Sequence, residues 1–301
     1  MADWQERITR ETDPAIRIEH DVRYALAAPL IRESALWVDL GCGAGLAAAD
    51  ALGPEPVPRA LLVDVSEDAA REAADTVPAA DTTVVQADLS KSEDLQRVRE
   101  AVGDATGVIT CFETVEHLPS FSPLIEALTE LCERFTVLLS VPNDAFWALE
   151  NPFHETIWGE GSFAELRTLL PADHVVIHQV ALHGSAFVVN GQNGKQLDLR
   201  ASTDAGGVPT HFLVAFGPRA QEIAPLAAVT QTDLDEHRRW ERQRDSDLAY
   251  YNRLYELYVQ SQKDLEHVID EREDFRRYIH DLEDRLGLPR SGGALPPGGA
   301  S

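Results

Sequence analysis

The chain has 301 residues, enough for one large domain or a domain with an extension. Its 51 acidic against 26 basic side chains leave a net charge of −25, which argues against a nucleic-acid backbone or an anionic membrane surface as partner, since both call for clustered Lys and Arg. The three cysteines have no metal or disulfide spacing, the charged start Met1–Arg7 has no signal-peptide core, and no apolar run reaches the length of a membrane span; together these predict a reduced, cytoplasmic protein without a membrane span.

Asp13-Pro14 is a helix-start signal, and Ile16, Ile18, Val22, Leu26, Leu30 and Ile31 continue it as a mostly helical stripe. Residues 1–34 therefore read as a capping helix region in front of the main fold. The apolar run Ala35–Val38 then ends in Asp39, followed by a turn with Gly41, Gly43 and Gly45 and an alanine-rich segment, Leu46–Leu52. That order predicts strand, tight turn, helix. Glycines let the backbone approach a ligand where a Cβ would collide, and the helix start offers free N–H groups. A dinucleotide site would place its last glycine at position 46, which is Leu46. A carboxylate at Asp39 would repel a pyrophosphate but suits a cationic sulfonium amino acid.

Beyond the stiff loop Gly53–Pro58, Ala60–Asp64 predicts a second buried strand ending in an acid. Asp64 stands about twenty residues past the glycine turn, the distance at which a carboxylate reaches ribose hydroxyls. Ser66 is expected to cap the next helix, with Glu67 and Asp68 in its first turn. Thr83–Leu89 reads as a third strand carrying Asp88, Ser90–Val102 as an amphipathic helix, and Gly107–Phe112 as a fourth strand. Pro123–Cys132 reads as a helix and Phe135–Val141 as a fifth strand, stopped by Pro142-Asn143. Residues 144–162 look loop-like, and a short helix runs from Ser162 or Phe163 to Leu170. His174–Val180 and His211–Phe216 close the sheet around a turn-rich excursion at 190–207. Alternating β and α segments with short loops predict an α/β, Rossmann-like, seven-stranded, mostly parallel sheet with helices on both faces, spanning 35–220. Asp39, Asp64 and Asp88 then fall at the carboxyl ends of successive strands, where ligands of open sheets bind.

From Thr232 the composition changes. Apolar side chains recur at alternating three- and four-residue steps through Tyr251, Leu254, Tyr258, Leu265, Val268, Phe275, Ile279, Leu282 and Leu286, with Ser261 and Arg272 interrupting the seam. Residues 230–286 therefore predict a long helix, either a self-associating coiled coil that makes a homodimer or a helix lying back on its own domain. The Gly/Pro-rich tail 287–301 predicts disorder.

Asp39-Leu40-Gly41-Cys42-Gly43-Ala44-Gly45 resembles motif I of the class I S-adenosylmethionine (SAM) methyltransferases, and the resemblance covers about residues 37–218. It implies SAM as cofactor, with Asp39, Gly41, Cys42, Gly43, Asp64, Val65, Asp88 and Leu89 around it and Asp88 at the adenine amino group. Glu113-x-x-Glu116-His117, with the later His154, resembles two metal-using branches: the small-RNA 2′-O-methyltransferases and the ubiquinone-pathway O-methyltransferases. By that resemblance Glu113, Glu116, His117 and His154 would bind Mg²⁺ or a similar divalent ion. Glu116, His117 and His154 would also serve as catalytic acid–base groups, with or without the ion; imidazole ligands would suit Mn²⁺ or Zn²⁺ as well. Ser140-Val141-Pro142-Asn143, the Asn151-Pro152-Phe153-His154 loop and the terminal coiled coil resemble bacterial methyltransferases of surface glycans. They imply O-methylation of a saccharide hydroxyl by a glycan-assembly enzyme. A small-molecule O- or N-methyltransferase of secondary metabolism, and a coiled-coil assembly protein with a non-catalytic SAM-binding domain, remain as other readings. Trp147, Phe153 and Trp158 either stack on a sugar ring or fill a lid core.

Overall fold

Five short runs of β-branched and leucine-rich sequence pair in parallel: β1 (Leu36–Leu40), β2 (Ala60–Asp64), β3 (Thr82–Gln86), β4 (Gly107–Cys111) and β5 (Phe135–Pro142). A computed structural model describes this chain at residues 8, 12, 14–147, 151–180, 208–226 and 234–289. Two further strands, β6 (Val175–Val180) and β7 (Pro209–Phe216), complete a seven-stranded sheet of order β3-β2-β1-β4-β5-β7-β6, in which β7 runs antiparallel to both its neighbours. The order reverses between β1 and β4. This is the point at which open α/β sheets form a ligand crevice, outside the carboxyl ends of the strands.

Side chains alternate between two cores, as the period of two requires. Leu36, Val38 and Leu40 of β1 join Ile109, Val137 and Val214 on one face, while Trp37, Leu62, Val108 and Leu213 face the other. The first face is covered by α4 (Ser92–Val102), α5 (Ser122–Leu131) and α7 (Glu160–Arg167). The second is covered by α1 (Pro14–Arg32), α2 (Leu46–Leu52) and α3 (Glu67–Thr76) through small side chains such as Ala27, Ala48, Ala70 and Ala73. Burial on both faces explains why the strands read as continuous apolar runs.

Element ends moved where side chains compete for the backbone. The third strand stops at Gln86, before Asp88, because the Asp88 N–H donates to Asp94 Oδ2 at 2.8 Å and the chain turns into α4. Helix α7 starts at Glu160, earlier than expected, because Ser162 Oγ accepts the Gly159 N–H at 2.9 Å and caps it. The stretch 144–162, expected as loop, opens with a helical turn, α6 (Asp144–Trp147). Residues 181–207, most of the tail and Asp13 lie outside the described residues.

Residues 1–231 and 232–301 form two compact units. Within the second, α8 (Leu234–Leu286) is a single helix of 53 residues. Among the described residues no helix is long and apolar enough to cross a membrane.

Gly107 opens β4 directly beside β1. A Cβ there would fall 1.8 Å from the Leu36 carbonyl oxygen, a backbone atom that cannot retreat without losing the β1–β4 pairing. Gly107→Ala should therefore cost about 3 kcal/mol or more of stability. It should appear as a lower denaturant midpoint in equilibrium unfolding, and a midpoint equal to that of the wild type would refute this packing argument.

Candidate active site

The turn after β1 is built for close approach. Gly41, Gly43 and Gly45 all have left-handed backbones, with φ of 78°, 52° and 73°. A Cβ on Gly41 would come within 2.2 Å of Thr114 Oγ1, so the turn is packed against the segment following β4. At Gly43 a Cβ would meet nothing within 4 Å, which leaves open space against the backbone on the crevice side of the motif. Cys42 is buried, and its thiol faces the Gly43 carbonyl.

Asp39 lies beneath this turn and is fully buried. Tyr24 of α1 donates its hydroxyl to Asp39 Oδ2 at 3.0 Å, and Thr110 of β4 donates to Oδ1 at 2.6 Å. Trp37 Nε1–H donates in turn to Thr110 Oγ1 at 2.8 Å. Asp39 was expected to line the cofactor site, but its oxygens are engaged by α1 and β4, so it acts on the turn from below. Asp64, at the end of β2, accepts the Gly43 N–H at 3.0 Å and the Ser66 N–H at 2.9 Å, tying the glycine turn to the second strand. Asp88 accepts both the N–H and the hydroxyl of Ser90 and pairs with Lys91 at 3.0 Å. Burial alone would raise the pKa of its carboxyl, but the Ser90 and Lys91 bonds outweigh this and hold it below the usual range. Val65 is exposed beside Asp64, whereas Leu89 is packed into the core under α4 rather than presented to the crevice.

The acids after β4 separate into two environments. Glu113 has a positive φ of 48°, rare for a residue with a side chain. Its N–H donates to Ser140 Oγ at 3.1 Å, the Ser140 hydroxyl donates to its Oε1 at 2.7 Å, and His211 Nε2 lies 3.2 Å from its Oε2. Burial opposes its ionisation, but Arg23, His211 and His20 outweigh that and hold the carboxyl well below the ordinary carboxylate range. Burial, followed by the Arg23 charge, pushes the nearby His20 imidazole down to about 3.

Glu116 is only 1% exposed, and among the described residues its Oε2 has no hydrogen-bond partner. Burial, then the charges of Glu113 and Asp144, push its carboxyl well above the usual range. Among the described residues, Glu116, His117 and His154 bring one ligand atom each to within 4.8 Å of one another. The expected ligand set therefore shrinks from four to three, because Glu113 is directed to Ser140 and His211 instead. His117 Nδ1 lies 3.1 Å from the Phe153 carbonyl, which assigns the proton to Nδ1 and the lone pair to Nε2, 3.9 Å from Glu116 Oε1. His154 Nδ1 lies 2.9 Å from Asp144 Oδ1, and its Nε2 lies 3.0 Å from Asn151 Nδ2. Asp144 also accepts the Trp158 N–H at 2.6 Å. Sequence reasoning missed Arg23, Tyr24, Asp144 and His211. Of these, Asp144 carried a signal, a carboxylate just after β5 and ten residues before a candidate ligand.

The family described as "Methyltransferase domain" matches residues 15–182, and the chain belongs to that family. It is a SAM-dependent methyltransferase of class I. No curated protein matches it. Among solved structures it is similar to a SAM-dependent methyltransferase from Archaeoglobus fulgidus (17% identity, 66% of this chain and 93% of that one, TM-score 0.42). It is also similar to the methyltransferase domain of bacterial CtHen1-C (16%, 67% and 98%, 0.45) and to the plantazolicin methyltransferase BpumL in complex with SAH (16%, 69% and 86%, 0.43).

Burial raises Asp39 from 3.8 to about 7, against the lowering effect of the Thr110 and Tyr24 bonds. A folded pKa above the unfolded one means that the native state binds this proton more tightly. The contribution of Asp39 to stability is therefore fully present below about pH 4 and is lost as pH rises to about 7. Asp39→Asn cannot titrate. Its stability relative to wild type should rise by a few kcal/mol between about pH 4 and about pH 7.5 and then level off. Denaturant unfolding of both proteins at stepped pH measures this, and a pH-independent difference would contradict it.

Proposed function

We propose that the protein transfers the methyl group of SAM to a hydroxyl of a saccharide or glycoconjugate, assisted by a divalent cation held by Glu116, His117 and His154. The observation that carries this reading is the convergence of those three side chains beyond the carboxyl end of β4, with a buried, unpartnered carboxylate oxygen on Glu116. A cation bound there would lower the pKa of an acceptor hydroxyl and hold its oxygens. With two imidazoles among the ligands, Mn²⁺ or Zn²⁺ suits the donor set at least as well as Mg²⁺.

The chain's own groups do the rest. Asp144 fixes the tautomer and ring plane of His154, and the Phe153 carbonyl does the same for His117. The turn at Gly41–Gly45 and the carboxylate of Asp64 would hold the cofactor, with Asp64 toward the ribose. Arg23 is 1% exposed and, among the described residues, leaves Nε and Nη2 without partners, which suits the carboxylate of the methionine moiety. Methyl transfer is an in-line displacement, so the rate comes mostly from holding acceptor oxygen, methyl and sulfur in line.

Two features favour a sugar ring. Trp147 and Phe153 are 40% and 39% exposed and lie on the segment that carries Asp144 and His154, so they are the aromatic side chains this reading offers to a sugar ring. Trp158, by contrast, is core. Residues 1–231 carry 35 Asp and Glu against 15 Lys and Arg, a poor surface for a long phosphate backbone. The helix α8 is read as the element through which two copies associate.

Two outcomes test the proposal. Asp144→Asn should weaken Mn²⁺ binding by about 10- to 100-fold and His154→Ala by at least as much, measured by calorimetry, with SAM affinity unchanged; wild-type Mn²⁺ affinity in both would remove the cation from the reading. Candidate glycans incubated with deuterated-methyl SAM should gain the label, and EDTA should suppress the gain. Labelling that persists in EDTA would leave His117 or His154 as a plain base, and labelling confined to acceptors without a sugar would end the saccharide assignment.

A further inference from the structure

Helix α8 exposes its apolar seam: Tyr251, Leu254, Tyr258, Leu265, Val268 and Phe275 are all between 43% and 67% exposed. Written as heptads, Tyr251, Tyr258, Leu265, Arg272, Ile279 and Leu286 take the a positions, and Leu254, Ser261, Val268, Phe275 and Leu282 the d positions. Two members are polar. Ser261 lies five and a half residues before the midpoint between positions 266 and 267, and Arg272 lies five and a half after it.

That symmetry has a consequence for pairing. In a parallel pair each a residue faces its own copy, so Arg272 would face Arg272 of the partner subunit inside the seam, a like-charge contact in a partly dry environment. In an antiparallel pair centred at the midpoint, a residues face d residues whose numbers sum to 533. Arg272 then faces Ser261 of the partner subunit, a long side chain opposite a short one. Leu265 faces the partner's Val268, Tyr258 the partner's Phe275, Leu254 the partner's Ile279 and Tyr251 the partner's Leu282. Every layer from Tyr251 to Leu282 that is not Arg–Ser is apolar. Sliding the register by one heptad either way sets Arg272 against an apolar residue, Leu254 or Val268.

The flanks agree. Asp264 of the partner subunit lies within one turn of the Arg272 layer, and Glu271 precedes Arg272 on its own helix. The guanidinium thus sits between two carboxylates that would otherwise repel across the pair. Near the ends, Arg285 falls opposite the partner's Tyr250 and Arg276 opposite the partner's Tyr255, positions suited to cation–π contact.

We propose that α8 pairs with α8 of a second copy as an antiparallel two-stranded coiled coil, with the Arg272–Ser261 layers setting its register. This rests on the reading of α8 as a self-association element, and the test separates the two. Asn252 lies at a b position on the exposed surface, so Asn252→Cys in a Cys132→Ala background can carry a single spin label on the full chain. In the antiparallel register the two labels are 29 residues apart along the axis, about 43 Å at 1.5 Å per residue. In a parallel pair they face each other across two helices, under about 20 Å. Light scattering giving twice the chain mass together with a pulsed dipolar distance near 43 Å is the expected result. Twice the mass with a short distance would overturn the orientation and leave self-association standing. A monomer mass would overturn both.

Discussion

The carboxylate of Asp39 accepts hydrogen bonds from α1 and β4 at once, two residues before the glycine turn that faces the crevice. A buried acid is costly unless its oxygens are satisfied, and here Tyr24 and Thr110 supply both donors. Trp37 closes the chain of bonds by donating to Thr110. One residue therefore fixes the capping helix, the two central strands and the height of the turn relative to one another. The rings reinforce this, since Tyr24 packs edge-on against Trp37 and Phe112. The crevice is rigid on this side because moving any one element would leave a polar atom of another unpaired.

On the far side of the crevice the organising fact is a division between two acids three residues apart. Glu113 is surrounded by donors and cations, and the strained backbone that turns it toward Ser140 and His211 is held by the hydrogen bond from its own N–H. Glu116 is buried beside two imidazoles, and burial together with the charges of Glu113 and Asp144 outweighs the pull of Arg23 on it. Environments that push two carboxyls in opposite directions mark different tasks for them. Glu113 belongs to the buried polar network under α1, and Glu116 to the cluster with the two histidines.

What the sequence made legible follows from range. Motif I and the strand alternation are local patterns, and the fold carries them almost residue for residue, with Asp39 and Asp64 in β1 and β2 and Asp88 two residues past the end of β3. The seam of α8 was equally plain, because heptad spacing is local. The partners of Glu113 were not: Ser140 is 27 residues away and His211 nearly a hundred, joined only because β7 inserts antiparallel beside β5. Arg23 was hidden for a similar reason. It shares a face of α1 with the buried Ala27 and Leu30, four and seven residues on, and its guanidinium reaches Gln179 on β6, 156 residues away. Tyr24 and Thr110, the donors to Asp39, lie 15 and 71 residues away and are out of reach of local spacing, whereas Ser90 beside Asp88 is a short-range turn partner.

The unpartnered oxygen of Glu116 distinguishes two ways of settling its charge. Protonation would remove the buried negative charge that Glu113 and Asp144 make unfavourable. It would not supply a hydrogen-bond partner for Oε2, which would remain a buried polar atom without one. The proposed divalent cation would answer both deficits together: it would neutralise the acid, satisfy that oxygen, and use lone pairs that the Phe153 and Asp144 contacts orient on the two imidazoles. The half-buried Asn151 amide, now 3.0 Å from His154 Nε2, would have to turn away from that nitrogen. In the proposed reading the same cluster would thus exert its pull on a neutral hydroxyl, which is compatible with a surface that carries so many acids.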